Sequence, residues 1–295
     1  MTGVTREVVR LPTHPGLQGL VAGIVGFREQ SAVPLERRQP AGTLLPLVLS
    51  FGDPFEIVEV AAGEGAGTYG SFLSGFMPGP VSTRSGRSHA CVQVYLTPLG
   101  VSRLLGVPGQ EVAGRVIAAE DLIPQFGASF TERLAAAGTW RPRLDLVESA
   151  LLARAGGSAG DLADPLVSWL WDRITESGGQ VRIRDLVAET GWSHRYVTTC
   201  FQRAVGLTPK AAAGVVRFER AAADISTSSI HRLGTLPVAE VAARHGYADQ
   251  SHLTRDVVRY AGEPPAALAA SRRPTAHTAL GTTPGAGARG EPGRA

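Results

Sequence analysis

One local pattern occurs twice in the C-terminal part of this 295-residue chain. The first copy is LVAETGWSHRYVTTCFQRAVGLTP, from Leu186 to Pro209, and the second is VAARHGYADQSHLTRDVVRYAGEPP, from Val241 to Pro265. The glycine, aromatic, apolar and proline positions of the two copies match at an offset of 55 or 56 residues, with Ala248 as the one extra residue. The duplication predicts that one small structural unit is used twice.

Each copy predicts two helices joined by a tight turn. Gly191 is placed to end the first helix, since glycine adopts the left-handed conformation at least cost. Ser193 is a suitable N-cap for the second helix, as Asp249 is in the repeat. Helices joined by a glycine-containing turn are typical of a helix-turn-helix, whose second helix can lie in the DNA major groove. The apolar residues expected to face inward are Val197, Phe201, Leu253 and Val257.

Polar side chains occupy the opposite face of each predicted second helix. Arginine can hydrogen-bond guanine, glutamine can bond adenine, and hydroxyl groups can bond either. An ordinary solvated helix face is the alternative for a single helix, but two such faces in a duplicated unit favour DNA binding. The outward residues are Arg195 and Thr199, flanked by His194 and Thr198, and then Ser251 and Arg255, flanked by Gln250 and Thr254.

The motif AxxxGYxDQSHLTRD and the ending GEPP, within Val238–Pro265, resemble the second helix-turn-helix of the AraC/XylS transcription regulators. Val181–Arg220 is similar to the first helix-turn-helix and connecting helix of that family. The resemblance implies one polypeptide that places two recognition helices in successive major-groove segments of double-stranded DNA. It also implies contact with RNA polymerase. The base-contacting residues that it implies are Arg195, Thr198, Thr199, Gln250, Ser251 and Arg255.

Residues 12–98 are predicted to be rich in β-strands, and helices are predicted to follow from Leu99 onward. Short β-branched or alternating runs at Pro46–Phe51, Pro54–Val60 and Ala90–Pro98 are separated by clusters of glycine, proline and serine. Within the last run, residues 91–95 are predicted to form a half-buried strand. Several short strands with such turns indicate a small β barrel or a sandwich.

The fold class expected is therefore an α+β N-terminal domain joined to an all-α C-terminal domain with two helix-turn-helix units. The small, polar run at residues 156–164 is the expected linker between domains at residues 1–155 and 165–273. Leu144 to Ala155 carries an apolar stripe that predicts an internal packing face or, as the alternative, a dimer interface. The segment 274–295 lacks periodicity and is predicted to be a disordered tail.

Charge and composition narrow the class of protein. The formal net charge is +3, and residues 163–273 hold fourteen Arg and Lys against eleven Asp and Glu, which is also +3. So small an excess suits a site-specific DNA-binding protein better than a non-specific architectural one. No apolar run is long enough for a signal peptide or a membrane span, so we expect a cytoplasmic protein with no membrane partner.

The sequence contains no convincing pattern for catalysis, a metal or a cofactor. His14 and His89 lack a paired ligand spacing, and a structural role is the simpler interpretation of both. Two cysteines, Cys91 and Cys200, cannot form a four-ligand zinc site. We therefore expect no catalytic residues, no metal and no cofactor.

The expected function is that of a sequence-specific transcription regulator. Its N-terminal domain is expected to bind a small, apolar effector or to form a homodimer. The alternative is an enzyme whose catalytic N-terminal domain carries a DNA-binding appendage.

Overall fold

The computed structural model describes residues 4–157, 164–230 and 237–271. Its strands all precede residue 120, and the chain from residue 164 onward is helical within these ranges. The expected linker at residues 156–164 lies largely outside the described residues, and the expected tail at residues 274–295 lies entirely outside them.

The β-rich part contains strands that pair antiparallel with their neighbours in two sheets. The six-stranded sheet has the order β1-β2-β9-β4-β7-β10, and the four-stranded sheet has the order β3-β8-β5-β6. The strands are β1 Val4–Leu11, β2 Val21–Ser31, β3 Leu35–Gln39, β4 Leu45–Ser50, β5 Phe55–Val60, β6 Gly67–Tyr69, β7 Phe72–Ser74, β8 Val81–Ser85, β9 Ser88–Leu96 and β10 Val116–Ala118.

The two sheets enclose an apolar layer, so the β-rich part is a sandwich and not a barrel. Val48, Phe72 and Cys91 of the larger sheet pack against residues of the smaller one. Those residues include Ile57 and Val81, which are buried. Alternation along β4, β5 and β9 places these side chains on the inner faces of the sheets. The expected α+β class is confirmed, in its sandwich form.

The expectation that residues 91–95 form a half-buried strand is wrong. β9 is the strand between β2 and β4, and its two faces are both covered. Cys91 faces the smaller sheet, whereas Val92 and Val94 pack in a second, larger core with the helices. Because a sheet covers one face and helices cover the other, all residues of this run except the half-buried Gln93 are buried.

Five helices lie between β9 and residue 157, and the third and fifth of them pack on strands of the larger sheet. They are α1 Pro98–Gly100, α2 Gly109–Val112, α3 Ala119–Leu122, α4 Ala128–Ala136 and α5 Trp140–Gly156. Three single turns accompany them, two 3-10 turns at Pro15–Leu17 and Pro124–Phe126 and a π-helical turn at Val101–Leu105. The apolar stripe of α5 packs inside the chain, since Leu144, Val147 and Leu151 are all buried.

The helical part contains both copies of the repeated pattern. Its helices are α6 Pro165–Glu176, α7 Ile183–Thr190, α8 His194–Val205, α9 Pro209–Ile230, α10 Val238–Arg244, α11 Gln250–Ala261 and α12 Pro265–Ser271. The larger core runs without interruption from the sheet into these helices. Phe76 and Trp171, for example, meet edge to face at a centroid distance of 6.3 Å across the boundary. Within the described ranges, no helix combines the length and the hydropathy that a membrane crossing requires.

Candidate nucleic-acid interface

Both copies of the repeat fold as a helix, a turn and a second helix, as the pattern predicts. Gly191 ends α7 at φ 70° and Gly246 follows α10 at the same angle, a left-handed conformation that favours glycine. The hydroxyl of Ser193 accepts a hydrogen bond from the N–H of Tyr196 at 3.2 Å. In the second copy, Asp249 accepts one from the N–H of His252 at 2.7 Å. The same local signals therefore begin α8 and α11.

The inward faces of α8 and α11 are buried, as the spacing predicts. Both helices pack against α9, which connects the two units. The hydroxyl of Thr208 accepts a hydrogen bond from the N–H of Ala211 at 3.2 Å in the first turn of α9. α9 is thus the common support that fixes one unit relative to the other. The buried residues are Val197, Phe201 and Val205 in α8 and Leu253, Val257, Tyr260 and Ala261 in α11.

Five of the six predicted base-contacting side chains lie on the surface of the second helices, and Thr198 is half-buried. Within the described residues, neither Arg195 nor Arg255 forms an ion pair. The Nε–H of Arg255 donates to the carbonyl of Ser251 at 3.3 Å, which holds the arginine along its own helix. The hydroxyl of Thr198 lies 3.4 Å from Nδ1 of His194. The exposed five are Arg195, Thr199, Gln250, Ser251 and Arg255.

The structure adds an aromatic pair that sequence reasoning missed. Trp192 is 56% exposed and Tyr196 is 43% exposed, and their rings pack at a centroid distance of 4.7 Å. A hydrogen bond to the Cys200 thiol raises the pKa of Tyr196. In the second copy the residue that matches Trp192 is Tyr247, which is 5% exposed. The repeat alone indicates two equivalent aromatic residues, so only the fold separates the exposed one from the buried one.

Tyr247 anchors the second unit to α9. The guanidinium of Arg217 lies 4.7 Å from the centre of the Tyr247 ring and 3.8 Å from the carboxylate of Asp256 on α11. Burial raises the pKa of Tyr247, so its hydroxyl stays protonated near neutral pH. Two turns further along α9, the carboxylate of Asp224 contacts Nε2 of His245 at 3.0 Å. These contacts hold α10 and α11 in one orientation on the connecting helix.

The β-rich part touches the C-terminal ends of both second helices. The backbone of Gly109 in α2 lies so close to Gly206, the residue that ends α8, that a Cβ on Gly206 would come within 2.7 Å of the Gly109 carbonyl. At the end of α11, Nη1 of Arg38 donates to the carbonyl of Gly262 at 3.1 Å. The N–H of Ala41 donates to the carbonyl of Tyr260 at 2.8 Å. The two surface helices are therefore held at their ends by the same neighbouring part of the chain.

The two histidines of the N-terminal part have structural roles in the fold. Nδ1 of His14 accepts a hydrogen bond from the N–H of Gly16 at 3.0 Å and so caps a 3-10 turn. His89 is 1% exposed and lies against the ring of Phe55. Burial lowers its pKa. Both cysteines are free, and no group of three or more metal-ligating side chains forms among the described residues.

Residues 186–271 match the family model described as a helix-turn-helix domain, and no curated protein matches the chain. The solved structures that it resembles include ToxT from Vibrio cholerae bound to (E)-4-(8-methylnaphthalen-1-yl)but-3-enoic acid. That similarity has 8% identity and a TM-score of 0.46, and covers 92% of this chain and 99% of the other. For ToxT from Vibrio cholerae bound to an unsaturated fatty acid, the identity is 9% and the TM-score is 0.44. That similarity covers 90% of this chain and 94% of the other. For the AraC-like transcriptional activator CuxR, the identity is 9% and the TM-score is 0.25. That similarity covers 70% of this chain and 83% of the other.

Proposed function

We propose that this chain is a DNA-binding transcription regulator of the AraC type, on the basis of its helix-turn-helix domain. In this proposal α8 and α11 enter two successive major-groove segments of one duplex. The observation that carries the proposal is the pair of surface helices attached to one connecting helix. Their inner faces are buried, and their outer faces present polar side chains without ion-pair partners among the described residues.

The base-contacting roles follow from the hydrogen-bonding groups of each side chain. Arg195 and Arg255 each present a guanidinium that can donate two bonds to O6 and N7 of guanine. The amide of Gln250 can bond N6 and N7 of adenine in the same bidentate manner. The hydroxyl groups of Thr198, Thr199 and Ser251 can bond to either kind of base, so they add affinity with less discrimination.

Trp192 and Tyr196 extend the contact surface of the first recognition helix. They lie at its N-terminal end, which in helix-turn-helix proteins is the end nearest the base edges. An exposed aromatic pair can pack against deoxyribose or against the methyl group of thymine. We assign the pair this role because adjacent aromatic side chains that remain exposed on a protein surface indicate a contact site.

We assign residues 1–155 a modulatory role and residues 165–273 the DNA-binding role. The contacts of Arg38 and Ala41 with the end of α11, and of Gly109 with the end of α8, provide the physical link. A small, apolar effector or a second copy of the chain that binds this domain would change DNA affinity through these contacts. We assign no reaction to the domain. Contact with RNA polymerase and a cytoplasmic location belong to the same proposal.

The test is selection of binding sites from a random duplex library by the full chain. The expected result is a two-part motif whose halves are separated by about one helical turn, roughly 10 base pairs. Arg255→Ala should lose discrimination at one base pair of one half, at a cost of about 1–3 kcal/mol.

Arg259→Ala is the matched control, because Arg259 lies on the same helix but its guanidinium packs over the ring of Tyr260 at 5.1 Å. Equal weakening of selected and random duplexes by Arg255→Ala would make Arg255 a phosphate contact and would contradict its assigned role.

A further inference from the structure

A cleft of about 560 Å³ lies between the loop that precedes α7, the first turn of α7 and the first half of α9. Four of the ten described residues that line it are basic, and none of the ten is acidic. The basic residues are Arg182, Arg184, Lys210 and Arg217. Lys210 is the only lysine of the chain. This concentration of charge contrasts with a whole-chain excess of only +3.

The cleft lies between the two helix-turn-helix units. Gly178 and Gly179 both have positive φ, and a Cβ on Gly179 would collide with the Ala213 carbonyl, so the loop follows the surface of α9 closely. The next residue, Gln180, packs against Gly246 in the turn of the second unit. One wall of the cleft is therefore formed by the first turn of α7 and the loop before it. That loop also contacts the turn of the second helix-turn-helix unit.

Three of the four cations differ in how firmly they are held. Arg217 is fixed between the ring of Tyr247 and the carboxylate of Asp256. Arg184 contacts Asp185 at 3.2 Å, but with side chains that are 74% and 57% exposed the pair is well screened by solvent. Lys210 is exposed and forms no ion pair within the described residues. The cleft thus keeps positive charge available to an anion that approaches from solvent.

We propose that this cleft binds phosphate groups of the DNA backbone between the two major-groove segments. The inference rests on the proposed function, because it places the duplex across α8 and α11. In a helix-turn-helix the first helix crosses the backbone while the second enters the groove, and the cleft is formed by the first turn of that first helix. The positive end of the α7 dipole adds to the attraction for an anion there.

Phosphate contacts differ from base contacts in a measurable way. Each phosphate neutralised releases bound counterions, so the affinity falls more steeply with salt, whatever the base sequence. Residues of the cleft should therefore change the salt dependence of binding without changing which duplex is preferred. Residues on the outer faces of α8 and α11 should instead change which duplex is preferred, without changing the salt dependence of binding.

The experiment measures binding of the full chain to a selected and a random duplex between about 50 and 200 mM salt. Arg184→Ala and Lys210→Ala should each lower the slope of log affinity against log salt by about one and weaken both duplexes equally, by roughly 3- to 10-fold. Lys210→Arg should retain the slope. Arg141→Ala is the control, since Arg141 lies exposed on α5 and its loss removes the same charge.

Slopes for Arg184→Ala and Lys210→Ala equal to that of Arg141→Ala would overturn the proposal. So would thermal stabilisation of the free protein by millimolar inorganic phosphate at constant ionic strength, if the variants abolish it while their DNA slopes stay unchanged. That result would assign the cleft to a free anion. If instead Arg255→Ala leaves specificity intact while the cleft variants lower the slope, the proposed base readout fails and the cleft remains a phosphate site.

Discussion

Thr43 donates two hydrogen bonds to one carboxylate oxygen of Glu219, from its hydroxyl at 2.6 Å and from its backbone N–H at 3.2 Å. Glu219 is 1% exposed and lies on α9, the helix that supports both recognition helices. Thr43 belongs to the loop between β3 and β4. The pair therefore joins the β-rich part of the chain directly to the helix on which α8 and α11 pack.

We expect Thr43→Val to lower the free energy of unfolding of the full chain by about 1.5–3 kcal/mol, because a buried carboxylate loses a short hydrogen bond. Valine keeps the shape of threonine, so the loss reports the hydroxyl. Urea unfolding of the full chain measures it. Thr131→Val is the control, since the Thr131 hydroxyl donates to the nearby Ala128 carbonyl within its own helix. A change no larger than that of the control would show that the contact adds nothing to the domain interface.

The helix-turn-helix units could be predicted from sequence because their signals are local. Gly191 and Ser193 act within a few residues of themselves, one by its left-handed φ and the other by its capping bond. The exposure of the predicted base-contacting residues follows from the same helical spacing that buries Val197 and Phe201. Such features need no knowledge of the rest of the chain.

Other features depended on contacts between distant residues and were not predicted. β2 contains Gly26, which breaks its apolar pattern, and the reason lies more than a hundred residues away. A Cβ on Gly26 would come within 2.5 Å of the ring of Trp140 in α5. The basic cleft likewise joins Arg182 and Arg217, which only the packing of the α7 loop on α9 brings together.

We predict that DNA binding shields Trp192 from solvent. Trp140 and Trp171 are each less than one-tenth exposed, and Trp169 is half-buried, so Trp192 is the most accessible indole of the chain. Acrylamide quenching of tryptophan fluorescence should fall when the selected duplex is added to the full chain. Trp192→Phe should remove most of that change while it keeps the aromatic stack on Tyr196. Quenching that is unaffected by DNA would place the aromatic pair outside the interface.

Stability should fall as the pH is lowered from 7 to 5, partly because of His89. Burial against Phe55 lowers the pKa of His89 in the folded state, so below the unfolded value of about 6.5 the unfolded chain binds the proton first. The free energy of unfolding then decreases by up to about 1.4 kcal/mol per pH unit until the folded pKa is reached.

His89→Gln should flatten this dependence in urea unfolding, whatever its effect at pH 7. His14→Gln is the matched control, because it removes an exposed histidine from the same part of the chain. Equal slopes in the His89→Gln variant and the unmodified chain would mean that other groups cause the pH response.

The last prediction concerns the spacing of the two recognition helices on DNA. Both pack on α9, a helix of 22 residues. At 1.5 Å per residue it is roughly 33 Å long, comparable to the ~34 Å repeat of the duplex. A single copy of the chain should therefore protect two backbone segments on one face, about 10 base pairs apart, in hydroxyl-radical footprinting. Gln250→Ala with Arg255→Ala should weaken protection in one segment first, and Arg195→Ala with Thr199→Ala in the other. Only one protected segment per monomer would mean that a single unit reads DNA and that the duplication has a structural role.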